Sequence, residues 1–268
     1  MPQTFAEAGI IAEAFVRARR NAVSLADYPG VEPTDLRSAL AIQDAAIPLF
    51  GEPVAGWKVG RINPPWLEKL GTNRLPGPIF SSHVQHTSNG KAVIGHIFND
   101  GFGAAEAEFV FRLGKAPKVG TTHVSLSETA DLVDAVFVGI EVASSPYPGI
   151  NVRGPLVTIS DFGNNNGLIL GAEISDWRNA GVEDWQIEAR IDDQVVGRGC
   201  ASAFPDGPLG SVQFLVENLL SRGIAIEAGL LISTGAVTGV HEISHGQRFD
   251  AQFADFGNVG CEIAFATA

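Results

Sequence analysis

Residues 105–113 read AEAEFVFRL, and this stretch decides the fold. Successive side chains of a β-strand point to opposite faces, so one face would carry Ala105, Ala107, Phe109 and Phe111. The other face would carry Glu106, Glu108, Val110 and Arg112. This alternation predicts a strand with one face packed in the core of the protein.

The stretches around this strand continue the β pattern. Residues 135–142 form a near-continuous apolar run, which is typical of a buried strand. Residues 185–191 alternate again, and the Asp-Asp-Gln turn at 192–194 can lead that strand into a hairpin partner. An Asn-Gly pair at 89–90 predicts another hairpin turn. Strands and turns are also expected over residues 230–268.

Helical periodicity is confined to the first fifty or so residues and one later segment. A first helix is indicated by apolar residues that recur on one face at Ile11, Ala14, Phe15 and Ala18. A second helix is predicted from an N-cap at Thr34 to a stop at Pro48. A late helix, ended by Gly223, is indicated by an apolar stripe at Val212, Leu215, Val216 and Leu219. The predicted fold class is α+β, with a helical N-terminal segment at residues 1–50 and a β-rich core at residues 51–268.

The composition excludes several classes of protein. The chain has 268 residues, of which 45% are hydrophobic, and this is enough for a substantial core. The net charge of −12 leaves no basic surface for a phosphate backbone, so nucleic acid is not an expected partner. No apolar run approaches the ~18 residues of a membrane helix, and the N-terminus shows no signal-peptide pattern. Cys200 and Cys261 cannot form a disulfide framework and indicate a cytoplasmic protein.

Three carboxylates are candidate metal ligands. Glu106 and Glu108 are two positions apart and share a strand face; the alternative is an ordinary strand with a solvated polar face. The apolar neighbours of Glu141 indicate burial, and a buried carboxylate must be protonated, paired or bound to a metal. The chain has only five lysines, so protein cations are scarce. Together the three carboxylates could form an all-oxygen site, which suits Mg²⁺ or Mn²⁺ better than Zn²⁺.

Lys58 is the candidate acid–base residue. It lies between Trp57 and Val59 in a short apolar stretch bracketed by glycines. Burial would lower the pKa of its ammonium group, which could then act as a general acid or base or pair with an anion. The alternative is a lysine whose stem covers a strand while its charged end reaches water.

Two further stretches could contact a polar ligand. Asp161 begins the stretch DFGNNNG at residues 161–167, which is either a loop presenting amide groups or an ordinary surface turn. Thr234 lies in the stretch STGA at residues 233–236, directly after an apolar run. Small residues at the end of a strand would let a backbone N–H approach an anionic ligand.

Several motifs, taken in order, resemble a known family. They are GWKVG at 56–60, AEAE at 105–108, the strand of Glu141, VVGRG at 195–199 leading into GPL at 207–209, and STGA at 233–236. Together they resemble the 2-oxopent-4-enoate hydratase and 4-oxalocrotonate decarboxylase branch of the fumarylacetoacetate hydrolase superfamily, from about Leu36 to the C-terminus. The resemblance implies a mixed β-roll core, like the C-terminal part of fumarylacetoacetate hydrolase, behind a small helical N-terminal segment.

The resemblance also implies the chemistry of the site. Glu106, Glu108 and Glu141 would hold Mg²⁺ or Mn²⁺, Lys58 matches a functional lysine of the pocket, and Asp161 and Thr234 would line it. The implied enzyme is a cytoplasmic hydratase, a metal-dependent lyase of aromatic-compound breakdown. It would convert a small unsaturated 2-oxo acid resembling 2-oxopent-4-enoate, through a metal-stabilised enolate, into a 4-hydroxy-2-oxo acid. A homo-oligomer, with pairing to a related decarboxylase, is implied in the same way.

Two departures from the family pattern keep other activities open. Leu75 stands in the RLPG stretch at 74–77 where the hydratases carry an acid, and GNNN at 163–166 replaces an Asp-Asn-Ala-Ser-like stretch. The same enolate serves decarboxylation and C–C bond cleavage, so a 2-oxo acid decarboxylase or a C–C bond hydrolase of the same superfamily is an alternative. A non-catalytic accessory or binding subunit is an alternative from a different class.

Overall fold

The computed structural model describes residues 5–87, 93–204 and 206–268. Its α-helices are Phe5–Arg20 (α1), Leu36–Phe50 (α2), Trp66–Leu70 (α3), Leu126–Leu132 (α4), Pro155–Ser160 (α5) and Gly207–Ser221 (α6). Its strands are Val54–Arg61 (β1), Arg74–Phe80 (β2), Val84–His86 (β3), Ile94–Ile97 (β4), Phe102–Leu113 (β5), Val133–Ser145 (β6), Asn165–Glu173 (β7), Ile187–Ile191 (β8), Gln194–Gly199 (β9), Leu231–Ser233 (β10), His241–Glu242 (β11), Arg248–Phe253 (β12) and Gly257–Phe265 (β13). The predicted Asn89-Gly90 turn lies outside the described residues.

The strands form two mixed sheets. The larger sheet has the order β2-β1-β10-β5-β6-β7-β3, with β11 also paired to β5, and the smaller has the order β4-β13-β12-β8-β9. The pairs β1–β10, β3–β7 and β4–β13 are parallel, whereas the central β5–β6 pair is antiparallel. The sheets curl into a half-barrel, which confirms the predicted α+β class with a mixed β-roll core.

Strands β5 and β6 are buried along nearly their whole length at the centre of the larger sheet. On one face of β5, the ring of Phe109 packs edge-on against Phe253 of β12, with 5.4 Å between the ring centroids. Full burial of one such side chain stabilises the fold by ~1.5–3 kcal/mol. On the other face, Glu106 and Glu108 are only 5% and 0% exposed. The alternative of a solvated polar face is therefore wrong for this pair.

The two N-terminal helices confirm the predicted periodicity and correct the ends of α2. Asp35, not Thr34, is the N-cap: its extended backbone lets its carboxylate accept a hydrogen bond from the Ser38 N–H at 2.8 Å. Pro48 lies inside α2, which ends before Gly51 at φ 75° because glycine adopts this left-handed conformation readily. The division of the chain into domains at residue 50 stays a prediction.

The predicted late helix and the predicted β8–β9 hairpin are also confirmed. After α6, the N–H groups of Gly223 and its successor donate back to carbonyls of the last turn, and Gly223 has φ 68°. The hairpin turns at Asp192 and Asp193, whose φ angles of 47° and 65° are those of a type I′ turn. Across the described ranges, no helix is long and apolar enough to cross a membrane.

Candidate metal centre

The register of two strands brings three carboxylates together. Glu106 of β5 stands directly opposite Glu141 of β6, and Glu108 follows on the same face of β5 because strand side chains alternate. One carboxylate oxygen from each residue lies within 4.8 Å of the other two. Glu141 is fully buried, as its apolar neighbours predict. We call these three residues and Lys58 the carboxylate cluster.

The carboxylate oxygens are only partly hydrogen-bonded. Glu108 Oε2 accepts hydrogen bonds from Ser233 Oγ at 2.5 Å and from the Gly235 N–H at 2.9 Å. Glu141 Oε1 accepts one from Asn165 Nδ2 at 2.9 Å. Glu108 Oε1 and Glu141 Oε2, in contrast, are buried without a hydrogen-bond partner. A buried carboxylate oxygen without a hydrogen-bond partner destabilises the folded state unless a nearby cation or a proton neutralises its charge.

Lys58 supplies the one cation of the cluster. Its Nζ lies 3.3 Å from Glu141 Oε2, without the direction of a good hydrogen bond, and it donates to Asn164 Oδ1 at 3.2 Å. Burial lowers the pKa of this 4% exposed lysine, but Glu141, Glu106 and Glu108 together outweigh burial and raise the pKa above its usual value. The lowered pKa expected from the sequence is therefore wrong for this arrangement, and Lys58 carries its proton.

For two of the carboxyl groups, burial and the neighbouring negative charges outweigh the attraction of Lys58 and raise the pKa. Burial, and then the neighbouring charge of Glu141, raises the pKa of Glu106 to about 7, with Lys58 opposing the rise. Burial, followed by Glu141 and Glu106, raises the pKa of Glu108 well above its usual value. The single ammonium group of Lys58 therefore does not offset the effect of burial on the pKa values of Glu106 and Glu108.

The donor set fits a divalent cation. When all three are ionised, the carboxylates exceed the Lys58 charge by two, and one oxygen from each of them lies within 4.8 Å of the other two. All the donors are hard oxygen atoms, and no histidine or thiolate belongs to the group found among the described residues. Mg²⁺ and Mn²⁺ prefer such ligands, whereas Zn²⁺ prefers nitrogen and sulfur.

A cavity of about 580 Å³ gives access to the cluster. Its lining includes Lys58, Glu106, Asn164, Leu75 and Arg61. Within the described lining, Glu106 is the only carboxylate, and no imidazole is present. The cavity can therefore admit a small polar molecule to the ion site and to Lys58.

The structure does not bring the other two predicted site residues into this cavity. Asp161 is 1% exposed and binds the guanidinium group of Arg19, with Nε to Oδ1 at 2.6 Å. Thr234 lines a smaller, adjoining cavity of about 90 Å³, and its hydroxyl donates to the Phe109 carbonyl at 2.8 Å. The anion-binding N–H predicted in this stretch is that of Gly235, but the anion it holds is Glu108.

Asn164 and Asn165 are candidate functional residues that the sequence analysis did not name individually. It identified only the stretch 161–167 that contains them. Phe162, Gly163 and Asn164 have φ angles of 55°, 61° and 59°, and this left-handed segment turns Asn164 toward Lys58. Asn165 then starts β7 with its side chain on Glu141. The available signal was the run of Gly and Asn, which tolerate left-handed backbone better than other residues.

A mixed β-roll that buries three carboxylates beside a lysine is the class of site implied by the sequence motifs. No family model matches the chain. A 4-oxalocrotonate decarboxylase from Pseudomonas putida is 27% identical over 150 residues, covering 56% of each chain. The 2-keto-4-pentenoate hydratase 2 of Dechloromonas aromatica (strain RCB) is 26% identical over 138 residues, covering 50% of this chain and 52% of the relative. The chain thus spans about half the length of these curated relatives.

Solved structures match over a longer range. The 4-oxalocrotonate decarboxylase from Pseudomonas putida G7, complexed with magnesium and adipate, has a TM-score of 0.80 at 21% identity and covers 97% of this chain and 98% of its own. The fumarylpyruvate hydrolase from Pseudomonas aeruginosa, in complex with Mn²⁺ and pyruvate, has a TM-score of 0.56 at 17% identity over 80% and 91% of the two chains. These relatives and structural neighbours are members of the fumarylacetoacetate hydrolase superfamily, including its hydratase–decarboxylase branch, so the predicted resemblance is confirmed.

Proposed function

We propose that this chain is a divalent-metal-dependent lyase that acts on a small unsaturated 2-oxo acid. The observation that carries the proposal is the carboxylate cluster next to a cavity of about 580 Å³: two of its oxygens lack a hydrogen-bond partner, and one of these, Glu141 Oε2, lies 3.3 Å from Lys58 Nζ. The relatives named 4-oxalocrotonate decarboxylase and 2-keto-4-pentenoate hydratase support the same class of substrate. The magnesium and manganese in neighbouring structures support the same choice of ion.

The three glutamates would hold the ion, and their own hydrogen bonds would orient them. Ser233 and Gly235 fix one oxygen of Glu108, which leaves Oε1 free to ligate, and Asn165 fixes Oε1 of Glu141. Such outer partners keep ligand atoms in place. A bound Mg²⁺ or Mn²⁺ supplies a Lewis acid that stabilises negative charge developing on the 2-oxo oxygen of the substrate.

Lys58 would hold a proton beside the substrate. Asn164 and Glu141 lie against its ammonium group, and in the metal-free protein the surrounding carboxylates raise the pKa of that group. In its protonated form Nζ can donate a hydrogen bond or a proton to the substrate. We assign Lys58 the role of a donor to the anionic form of the substrate.

Hydration of a 2-oxopent-4-enoate-like substrate to a 4-hydroxy-2-oxo acid is the first reaction we propose. A second candidate, decarboxylation of a 2-oxo acid, is favoured by the side chain of Leu75. This alkyl group lines the cavity where the hydratases carry an acid, and loss of CO₂ does not require a group that activates water. The two reactions differ in product, so they can be separated directly.

The test has a binding stage and a product stage. Metal-free protein is titrated with Mn²⁺ and with Mg²⁺ by calorimetry, and the loaded protein is then given a panel of unsaturated 2-oxo acids. Loss of dienoate absorbance without CO₂ indicates hydration, whereas trapped CO₂ indicates decarboxylation and a cleaved acid indicates C–C hydrolysis. Ligand binding without turnover over the whole panel would support the accessory-subunit alternative. Absence of metal binding would overturn the proposal.

The assembly and location of the protein stay predictions. A homo-oligomer and pairing with a related decarboxylase rest on the family resemblance, and a cytoplasmic location rests on cysteine usage. Sedimentation of the purified chain, alone and with such a decarboxylase, measures the first two.

A further inference from the structure

Asn151 is a polar residue of the cavity wall that the proposed chemistry does not use. It lies in the turn between β6 and α5, is exposed, and lines the cavity together with Lys58 and Asn164. Its Oδ1 accepts a hydrogen bond from Asn164 Nδ2 at 2.9 Å. Asn164 Oδ1 in turn accepts one from Lys58 Nζ. The three side chains thus form a chain of hydrogen bonds that leads from the carboxylate cluster along the wall of the cavity.

The direction of this chain of hydrogen bonds is set by Lys58. A protonated lysine can only donate, so the amide oxygen of Asn164 must face Lys58 and its NH₂ group must face away. The atom of Asn151 that meets this NH₂ group must then be the oxygen. The oxygen and the nitrogen of an amide side chain could otherwise exchange places. Asn151 therefore keeps its own NH₂ group for another partner.

The NH₂ group of Asn151 is unused, although the residue that carries it is held in place. Across the described residues, Asn151 Nδ2 donates no hydrogen bond to the protein. The preceding Ile150 is fully buried, and its carbonyl accepts from Thr158 Oγ1 at 3.1 Å. The Asn151 carbonyl accepts from the Gly154 N–H at 3.2 Å. A donor fixed in this way loses little conformational freedom when a ligand binds.

The free NH₂ group lies within reach of a small ligand at the carboxylate cluster. Two hydrogen bonds and one amide group join Lys58 Nζ to Asn151 Oδ1, so these atoms are at most roughly 8.5 Å apart. The terminal carbons of an extended five-carbon acid lie roughly 5 Å apart, and a hydrogen bond at either end adds about 3 Å. One such molecule can therefore contact both side chains.

We propose that Asn151 binds the substrate directly, and that its NH₂ group donates a hydrogen bond to an oxygen atom of the bound 2-oxo acid. This inference rests on the proposed function, because it takes the 2-oxo acid to lie against the ion and Lys58. The alternative is a positioning residue that only holds Asn164 against Lys58. The two roles use different atoms of one amide, the nitrogen for the substrate and the oxygen for Asn164.

The experiment changes the nitrogen of Asn151 without removing the oxygen. Calorimetry of the Mg²⁺-loaded protein measures the Kd of 2-oxopentanoate, a five-carbon 2-oxo acid that lacks the reacting double bond. Asn151→Asp keeps an acceptor for Asn164 and replaces the NH₂ group by a second oxygen, so we expect binding to weaken about tenfold or more. Asn151→Ala removes both atoms without adding a charge and should weaken binding about fivefold. A positioning role requires the reverse order, because the aspartate would still hold Asn164.

Asn63→Asp is the matched control, because Asn63 is another exposed asparagine of the same cavity wall and the variant carries the same added charge. It should change the Kd less than about threefold. The Mn²⁺ affinity of all three variants, measured in parallel, should stay within about threefold of the wild type, since none removes a ligand of the ion.

Three results would overturn the inference and leave the proposed function standing. They are wild-type binding of 2-oxopentanoate by Asn151→Asp, equal weakening by Asn151→Asp and Asn63→Asp, and weaker binding by Asn151→Ala than by Asn151→Asp. If the wild-type protein binds no 2-oxopentanoate in the presence of Mg²⁺, the proposed function and the inference fail together.

Discussion

Two buried ionic clusters differ in how completely their charges are paired. In the Arg19 cluster, each guanidinium nitrogen donates, and the acceptors are the Asp161 carboxylate, the Asn166 side chain and the carbonyls of Ser144 and Asn165. One positive charge meets one negative charge, and no donor is left over. The carboxylate cluster has three acids, one lysine and two orphaned oxygens. A buried cluster in which every charge and donor has a partner contributes to the stability of the fold. A buried cluster with excess negative charge and unpartnered oxygens is a candidate site for a cationic ligand.

Removing the cation of the balanced cluster should have the largest effect on stability. Arg19→Met leaves Asp161 buried and uncompensated, so we expect a loss of ~3–5 kcal/mol in the free energy of unfolding. Urea denaturation followed by circular dichroism measures it. Arg17→Met, at an exposed position of the same helix, is the control. An Arg19→Met protein as stable as the wild type would show that the pair is not structural.

Removing an acid from the unbalanced cluster should affect metal binding more than folding. We expect Glu141→Ala to weaken Mn²⁺ by at least about a hundredfold, because even the outer partners of metal ligands are worth 10–100-fold. The same variant relieves repulsion in the metal-free protein, so its stability should not fall as that of Arg19→Met does. Calorimetric titration and urea denaturation give the two values. The exposed Glu173 serves as a control through Glu173→Ala, and unchanged Mn²⁺ affinity in Glu141→Ala would refute the assignment.

The imbalance should also appear as a pH dependence of the metal-free protein. The pKa of Glu106 is raised to about 7, above its unfolded value near 4.5, so the folded state binds the extra proton between these pH values. Stability therefore falls as pH rises through this window, and saturating Mg²⁺ should remove the fall. Thermal unfolding at pH 5.5 and 7.5, with EDTA or with Mg²⁺, should show a shift of a few degrees. Glu106→Gln should flatten the profile, and a metal-free profile that rises with pH would contradict it.

The hydrogen bond between Asn165 and Glu141 should give the smallest of these effects. Asn165→Ala removes the donor to Glu141 Oε1 and keeps the backbone carbonyl that Arg19 uses. We expect about a tenfold loss of Mn²⁺ affinity and ~1 kcal/mol of stability. The same two titrations measure both changes, with Asn179→Ala in an exposed turn as the control. An effect as large as that of Glu141→Ala would mean that Asn165 does more than orient a ligand.

The carboxylate cluster could be predicted from the sequence because the signals for it lie within short stretches of the chain. Strand parity places Glu106 and Glu108 on one face, and the apolar run around Glu141 requires a partner for a buried charge. The same logic gave the strands and the α+β class. The pairing of β5 with β6, which sets Glu106 opposite Glu141, depends on contacts between strands that the local pattern does not specify.

The Arg19 cluster could not be predicted, because its partners lie far apart in the sequence. Arg19 and Asp161 are 142 positions apart, and the end of α1 only suggests cations suited to the helix dipole. Asp161 stands in a polar stretch whose composition indicates a turn but not which way each side chain points. Left-handed backbone at residues 162–164 sends Asp161 to Arg19 and Asn164 to Lys58, and local sequence does not specify that division.

Asn165 belongs to both clusters, since its carbonyl accepts from Arg19 and its side chain donates to Glu141. Binding of an ion at the proposed site and docking of the N-terminal helix would therefore be thermodynamically linked through this residue. An ion that holds Glu141 in place would also restrain Asn165. It would thereby stabilise the hydrogen bond from Arg19 of α1 to the Asn165 carbonyl. We therefore expect metal binding to slow amide hydrogen exchange in α1, although α1 contributes no ligand to the proposed ion site.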